Sequence, residues 1–364
     1  MHQARSTRAR CLCDQRREEG GSALFSNSSC YEHATAGYPL SFGAGAAHHG
    51  HFSICSQPGK HTDSKTMKFF APIFAAAAMF AAQVSANGVC YDPNHASSGT
   101  MDVDSVGQDM DAIKNQGFTI VRTYISKFGN VNLGQAITAH NMTAALGVPY
   151  PDSDCVDQMD AALTAALSGG VRYIFVGNEN LAGAYAVPYD MINFIKKIRS
   201  LVPVTVKVGT VQRNTEVINY SGISGWSDLV DACDVLGVNI HPYFTPGTTA
   251  DNAIDVLDNQ WKVMEANFAD KLLLTETGWP SDGELSGNTG SSKGQEAFFG
   301  DYKSWSKSKS EAFYFQAFDT PYKTNTYERS YGLLTSDSVP KFGIAAASNS
   351  AGTVTAQNQN QNQS

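Results

Sequence analysis

Eight short apolar segments rich in β-branched residues recur along the chain, and each is followed by a helical or helix-like segment. The predicted strands cover residues 88–92, 118–126, 143–151, 171–179, 204–212, 235–243, 272–278 and 312–319. Strands that are apolar along almost their whole length are typical of parallel sheets covered on both faces. Eight βα units in about 250 residues match the size of a TIM barrel, so the sequence predicts an α/β fold, a single-domain (β/α)8 barrel.

A doubly wound open sheet is the alternative architecture for alternating strands and helices. It is disfavoured because no G-x-G-x-x-G motif follows the first predicted strand. The intervening segments support regular alternation, since residues 156–170, 189–202 and 253–269 carry apolar residues at helical spacing. Gly169 and Gly170 form a stop signal at the end of the first of these helices.

Composition excludes several classes of function. The 364 residues are 42% apolar, which suffices for a sizeable core. The net charge of −8, without a basic stripe, argues against a nucleic-acid partner. No apolar run reaches the roughly 18 residues that a membrane span requires. Cysteines at C-x-C spacing and an incomplete calcium-loop pattern argue against a metal site, and no cofactor is expected. Nothing in the sequence indicates an oligomeric state.

Residues 67–86 have the pattern of a secretory signal peptide. Lys68 precedes an apolar run, and the small residues Val-Ser-Ala end the segment. Because a signal peptide works from the true N-terminus, we expect Met67 to be the start and residues 1–66 to be a disordered, non-native extension from the gene model. A genuine extension with an internal apolar helix is the alternative. The pattern predicts a secreted protein.

Two further domain boundaries follow if the protein starts at Met67. The barrel domain is expected to occupy residues 87–346, and the polar Ser/Asn/Gln-rich tail at 347–364 is expected to be disordered. Cys90, Cys155 and Cys233 are the three cysteines that remain after residue 86, so at most one internal disulfide can form.

Two glutamates stand at the ends of predicted strands. Glu179 ends the fourth strand and Glu276 lies at the end of the seventh. Because side chains at the carboxyl ends of barrel strands converge, we expect both carboxylates in one cleft. One such glutamate could be explained by an ion pair with a basic residue. Two facing carboxylates, however, are the groups with which glycosidases cleave a glycosidic bond. We expect Arg122 to point into the barrel and pair with a carboxylate there.

Ring-bearing residues gather at the same end of the predicted barrel. Tyr124, Tyr243, Trp279 and Phe318 fall at or just beyond strand ends, where they could pack against sugar faces. Trp279 in particular is expected to present a flat face near the reacting sugar.

The segments FVGNEN (175–180) and LLLTETGWPSDG (272–283) resemble the two active-site signatures of glycoside hydrolase family 17. This family contains the β-1,3-glucanases and glucanosyltransferases of plant and fungal walls. The resemblance extends through residues 121–124, 238–244 and 315–323 and ends at 330–334. It implies a TIM barrel and a reaction that retains the anomeric configuration.

The resemblance also implies roles for individual residues. Glu276 matches the nucleophile, Glu179 the acid/base, and Asn178 the residue that contacts the sugar 2-hydroxyl. Other positions match residues that line the family's groove or brace its carboxylates, namely Tyr124, Asn239, Tyr243, Trp279, Phe318 and Lys323. Two departures affect the subsites: His241 stands where plant enzymes commonly carry tyrosine, and Gln316 stands where fungal relatives often carry glutamate.

The expected function is that of a secreted, cell-wall-associated glycosidase that cleaves β-1,3-glucan internally by double displacement. Its partner is the polysaccharide or an oligosaccharide of it. Transfer of the glycosyl group to another sugar, which would make the protein a glucanosyltransferase, uses the same chemistry and stays open. A non-catalytic glucan-binding wall protein is the alternative from another class, and the presence of both glutamates disfavours it.

Overall fold

The computed structural model of the protein describes residues 86–96, 102–309 and 311–344. These residues all belong to one compact unit. The predicted extension at 1–66, the predicted signal peptide up to residue 85 and the predicted tail at 347–364 lie outside the described residues. Within the described ranges, no helix is long and apolar enough to cross a membrane.

Eight parallel strands form a closed barrel, which confirms the predicted fold class. The strands are β1 Ala86–Cys90, β2 Ile120–Arg122, β3 Thr143–Val148, β4 Val171–Asn178, β5 Lys207–Arg213, β6 Val235–Asn239, β7 Leu272–Glu276 and β8 Glu311–Tyr314. Each strand pairs with the next in the chain, and β8 pairs with β1. This closure excludes the open doubly wound sheet.

Helices connect the strands on the outside of the barrel. They are α1 Val103–Asn115, α2 Leu133–Ala139, α3 Cys155–Ser168, α4 Tyr189–Leu201, α5 Asn214–Ile218, α6 Trp226–Ala232, α7 Ala253–Phe268, α8 Ser292–Ser306 and α9 Thr326–Arg329. Helix α1 begins with a capping box in which Asp102 and Ser105 satisfy each other's backbone N–H groups. Helix α4 buries Met191, Ile192, Ile195 and Ile198, one apolar stripe at helical spacing.

The barrel interior is filled by a small apolar cluster to which every strand contributes. Its buried members are Cys90, Ile120, Ala145, Tyr173, Phe175, Val211, Val235, Leu273 and Phe313. A second, larger cluster fills the layer between strands and helices. The interior is therefore a packed core, and a ligand has access only at its ends. Cys90, Cys155 and Cys233 are free thiols.

The seam between β1 and β8 closes the sheet. Ala86 pairs with Glu311 and Val89 pairs with Tyr314. Opposite Phe313 stands Gly88, where a Cβ atom would overlap the phenylalanine ring. Glycine at this position lets the ring fill the interior where the first and last strands meet.

Candidate active site

Glu179 and Glu276 line one cavity at the carboxyl end of the barrel. We call it the central cavity; its volume is about 390 Å³, and Tyr124, Asn178 and Lys323 also line it. Glu276 is the last residue of β7, and Glu179 directly follows β4. The two strand ends thus bring together the two carboxylates singled out from the sequence.

Arg122 and His241 stabilise the ionised form of Glu276. The Nη1 of Arg122 donates to its Oε1 over 2.6 Å, and the Nε2 of His241 lies 3.1 Å from its Oε2. Burial opposes ionisation of Glu276, but the positive charge of Arg122 and the hydrogen bond from His241 outweigh it and lower the pKa of the carboxyl group. Because an ionised carboxylate only accepts hydrogen bonds, His241 carries a proton on Nε2.

Arg122 connects three strands beneath the cavity. It is fully buried, and its Nη1 also donates to the carbonyl oxygen of Thr275 over 3.0 Å. Its Nη2 donates to Oδ1 of Asn178 over 2.7 Å, and the guanidinium lies 4.7 Å from the ring centroid of Tyr124. The prediction that Arg122 points inward and pairs with a carboxylate is confirmed by its ion pair with Glu276.

Glu179 has the opposite electrostatic environment. Burial and the negative charge of Glu276 both raise the pKa of its carboxyl group. The Nδ2 of Asn239 donates to its Oε1 over 2.7 Å, and this contact opposes the rise. Glu179 also has a positive φ of 56°, a left-handed conformation that costs a non-glycine residue roughly 1 kcal/mol or more. Its N–H is held by the carbonyl oxygen of Val211 at 2.9 Å.

A continuous chain of hydrogen bonds links the two carboxylates. Arg122 donates to both Glu276 and Asn178, and Asn239 donates to Glu179. Asn178 and Asn239 are joined by a contact of 3.3 Å. The hydroxyl of Thr275 donates to Oδ1 of Asn239, which leaves the Nδ2 of Asn239 free to donate to Glu179. The orientation of both amides is thus set by fixed neighbours.

Three of the predicted groove residues are buried behind the cavity. Tyr243, Trp279 and Phe318 are 0%, 1% and 2% exposed. Trp279 packs edge-on against Tyr243 at 5.0 Å, and Phe318 stacks on His95 at 4.0 Å. The expectation that Trp279 offers a flat face to a sugar is therefore wrong. A large ring at a strand end can equally fill the layer under the loops, and here it does so.

The remaining predicted residues lie at the cavity or beside it. Tyr124, Asn178 and Lys323 line the central cavity, whereas Asn239 lines a neighbouring one. Sequence reasoning missed Asp92 and Tyr322 in the central cavity and Arg213 and Tyr327 in the neighbouring one. Asp92 lies two residues beyond β1 and Arg213 is the last residue of β5, so the strand-end rule that selected the glutamates could have selected both.

Among the described residues, no group of three or more histidines, cysteines, aspartates or glutamates could hold a metal ion. The site does contain two carboxylates and their hydrogen-bonding neighbours.

A family model for the BtgE/BtgC glycoside hydrolase domain matches residues 88–332. The chain belongs to this family. Within it, the probable β-glucosidase btgE of Aspergillus flavus is similar to this chain, with 31% identity over 214 residues that cover 58% of this chain and 35% of that protein. The probable family 17 glucosidase SCW10 of Saccharomyces cerevisiae is 29% identical over 262 residues, covering 69% of this chain and 65% of that protein. The chain thus matches about a third of the length of the btgE relative.

Solved structures share the barrel fold of this chain. An active-site mutant of a β-1,3-glucanosyltransferase from Rhizomucor miehei, in complex with laminaritriose, is 27% identical with a TM-score of 0.59. The match covers 72% of this chain and 98% of that one. An endo-laminarinase from Formosa Hel1_33_131 has a TM-score of 0.61 at 17% identity over 70% of this chain and 84% of that one, a likeness of fold alone.

Proposed function

We propose that this BtgE/BtgC family member is a retaining glycosidase of the family 17 type that cleaves β-1,3-glucan. Glu276 is the nucleophile and Glu179 is the acid/base. The observation that carries the proposal is the pair of carboxylates in one cavity whose pKa values are shifted in opposite directions. Such a split assigns one group to act ionised and the other to act protonated.

The first step forms a covalent bond to the enzyme. The ionised carboxylate of Glu276 attacks the anomeric carbon while Glu179 gives its proton to the glycosidic oxygen, and the leaving sugar departs as an alcohol. Arg122 and His241 hold the attacking carboxylate in place. Asn178 lies between the two carboxylates, where it can contact the sugar 2-hydroxyl.

The second step uses the change in charge that the first step causes. Once Glu276 is an ester, its negative charge no longer raises the pKa of Glu179. Glu179 then acts as a base and removes a proton from water. The water oxygen bonds to the anomeric carbon, and the carbon–oxygen bond to Glu276 breaks, which regenerates the carboxylate.

The substrate and the mode of action are inferred from the relatives and the cavities. Laminaritriose in the complex of the Rhizomucor miehei relative supports a β-1,3-glucan substrate. A third cavity shares Tyr124, Ile125 and Asn178 with the central one, and the neighbouring cavity shares Glu179 with it. Three cavities with shared lining residues support binding of an internal stretch of a chain, and hence endo action.

Glycosyl transfer is the second candidate function. The name of the Rhizomucor miehei relative, a glucanosyltransferase, favours it, and the covalent intermediate would be the same. A non-catalytic glucan-binding protein would have no use for carboxylates with opposite pKa shifts, so it is disfavoured.

Product analysis separates these functions. The protein is incubated with a linear β-1,3-gluco-oligosaccharide of defined length, and product sizes and the first-formed anomer are followed over time. Products that are only shorter indicate hydrolysis, and products longer than the substrate indicate transfer. The matched control is a β-1,4-gluco-oligosaccharide of the same length, which should stay intact. An unchanged β-1,3 substrate with folded protein would refute the enzyme proposal, and initial release of the α-anomer would refute retention.

The opposite pKa shifts predict a bell-shaped dependence of kcat/KM on pH. Activity should rise as Glu276 loses its proton, below the ordinary carboxyl value of 4.5. It should fall as Glu179 loses its proton, above 4.5. The optimum therefore lies between these two pKa values. Initial rates across a series of buffers check this, and an activity that keeps rising into the alkaline range would contradict it.

We also propose that the protein is secreted and associated with the cell wall. Support comes from the sequence of residues 67–86. The proposed boundaries are an extension at 1–66, the signal peptide at 67–86, the barrel at 87–346 and the tail at 347–364. N-terminal sequencing of protein recovered from culture medium should read from Asn87, and a sequence that begins within residues 1–66 would contradict these boundaries.

A further inference from the structure

Asn219 begins an acceptor motif for N-linked glycosylation that the proposed reaction does not use. Residues 219–221 read Asn-Tyr-Ser, the Asn-x-Ser form of this motif. Asn219 and Ser221 are both exposed, and Tyr220–Gly222 forms a short 3-10 helix between α5 and α6. Because this segment lies outside the barrel strands, the motif stays at the surface of the folded protein.

The motif adjoins a cavity that is separate from the catalytic site. We call it the flank cavity; its volume is about 450 Å³, and its lining includes Tyr220, Ser221, Trp226 and Phe268. Among the residues that the structure describes, the flank cavity and the central cavity share no lining residue. The volume falls within the range of roughly 300–1,000 Å³ that is typical of small-molecule sites.

We propose that Asn219 carries an N-linked glycan and that its first sugar, an N-acetylglucosamine, packs in the flank cavity. This inference rests on the proposed secretion and is independent of the glycosidase reaction. The donor is an oligosaccharide linked to a lipid diphosphate. In the transfer, the Nδ2 of Asn219 gives up one proton and bonds to the anomeric carbon of the sugar. The bond from that carbon to the lipid diphosphate breaks, and its electron pair stays on the diphosphate.

The side-chain amide of Asn219 is held at the end of α5. Its Nδ2 donates to the carbonyl oxygen of Thr215 over 2.7 Å, and its backbone N–H donates to the same oxygen over 3.1 Å. The glycan replaces one of the two hydrogens on Nδ2 and leaves the other, so the linkage is compatible with this hydrogen bond. A sugar attached here begins next to Tyr220 and Ser221, which both line the flank cavity.

The lining of the flank cavity combines aromatic rings with polar groups. Tyr220 and Phe268 are half-buried, and their rings meet edge-on with centroids 5.0 Å apart. The ring centroid of Trp226 lies 6.4 Å from that of Phe268. Ser227 and Asp228, which are both exposed, also line the cavity. A sugar has apolar faces that pack on rings and polar groups that bond to a hydroxyl or a carboxylate, so this lining matches both.

A second acceptor motif provides an internal comparison. Residues 141–143 read Asn-Met-Thr, and Asn141 is exposed with a positive φ of 58°. Thr143 is the first residue of β3, and its N–H donates to the carbonyl oxygen of Thr119 over 2.9 Å. Folding therefore ties this motif into the sheet. A glycan on Asn141 has no part in the proposal, so Asn141→Gln serves as the matched control.

Peptide mass spectrometry of secreted protein tests the modification. The full-length chain and a form that begins at Met67 are both expressed in a yeast host. Protein recovered from the medium is treated with endoglycosidase H, which leaves one N-acetylglucosamine on each modified asparagine. We expect most chains to carry this sugar on Asn219. Asn219→Gln and Ser221→Ala should lose it because both break the motif, whereas Ser221→Thr should keep it.

Thermal unfolding tests the packing of the first sugar. The trimmed protein, in which Asn219 keeps a single N-acetylglucosamine, is expected to have a Tm roughly 2–4 °C above that of Asn219→Gln, the shift that a small stabilisation produces in a domain of this size. In a Tyr220→Ser background, which keeps the motif but removes the ring, this Tm difference should disappear. In an Asn141→Gln background it should be unchanged.

The outcomes separate secretion, modification and packing. Absence of both expressed forms from the medium would refute the proposed secretion and the modification with it. A secreted protein with an unmodified Asn219 would refute the glycan while leaving secretion intact. Equal Tm values for the trimmed protein and Asn219→Gln, or a Tm difference that survives Tyr220→Ser, would refute packing in the flank cavity. A modified Asn219 whose Tm difference depends on Tyr220 supports the proposal.

Discussion

Replacing Glu276 with glutamine is expected to lower turnover on the order of 10⁶-fold, the scale seen when a covalent nucleophile is removed. The amide has nearly the same shape as the carboxylate but cannot form the glycosyl ester. Burial keeps the side chain in place, because Glu276 is only 5% exposed. Single-turnover assays with a β-1,3-gluco-oligosaccharide measure the loss, and a fluorosugar that traps the intermediate should label position 276 only in the unmodified protein.

The matched control for this substitution is Glu296→Gln, a change at an exposed glutamate on α8. It should leave turnover within about twofold of the unmodified protein, because this exposed carboxylate does not line the central cavity. A Glu276→Gln protein that retains turnover within about 100-fold would place the nucleophile elsewhere.

The Arg122→Met variant is expected to lose about 3–5 kcal/mol of unfolding free energy near neutral pH, since removing one partner of a buried ion pair leaves the other charge uncompensated. The loss should depend on pH. In the unmodified protein the lowered pKa of Glu276 adds stability above the unfolded-state pKa, and this stability is lost as the pH falls through the folded-state value. In the variant, burial acts without the cation and raises that pKa, so the stability difference should shrink in acid.

Urea unfolding at about pH 4 and about pH 7 measures this difference. Arg199→Met is a suitable control, because its ion pair with Asp234 spans 3.2 Å between side chains that are 45% and 33% exposed. Its loss should be much smaller than that of Arg122→Met at both pH values, since partly exposed pairs contribute little. Adding Glu276→Gln to Arg122→Met should restore part of the stability at neutral pH. A loss of equal size at both pH values would contradict the electrostatic explanation.

The two carboxylates could be located from the sequence because all strands of a parallel barrel run in the same direction. Parallel strands present their carboxyl ends on one face, so a residue at the end of an apolar run points to that face. This reasoning placed Glu179 and Glu276 at one end of a barrel, and the structure brings both into one cavity. The sequence also predicted an inward Arg122 paired with a carboxylate, and the ion pair with Glu276 meets the need of a buried cation for a partner.

Ring orientation could not be predicted in the same way. Tyr124 and Trp279 both follow strands, yet Tyr124 lines the cavity and Trp279 is buried under the loops. The difference depends on contacts with residues distant in sequence, such as the packing of Trp279 on Tyr243. Both residue types occur in cores and in ligand sites, so a single sequence does not separate a ligand-facing ring from a packing ring.

The ends of some strands were also not predictable from the sequence. Residues 118–126 and 312–319 were predicted as strands, but the ladder covers only Ile120–Arg122 and Glu311–Tyr314. Beyond β8, the N–H of Phe315 bonds to Thr277 and that of Gln316 to Tyr331, both outside the sheet. These residues stay apolar or buried because loops cover them, so the apolar run continues after the strand has ended.

The seam between β1 and β8 has a consequence for biosynthesis. Asn87 and Ala312 pair across a gap of 225 positions, so a growing chain offers an unpaired sheet edge on β1 until its last barrel strand is made. Unpaired edges invite association with other chains. Glu179 and Glu276 both precede that closing strand, so the two carboxylates are synthesised before the ring can shut. Newly made chains are therefore most exposed to aggregation in the interval just before β8 becomes available, when a chaperone would be of greatest use.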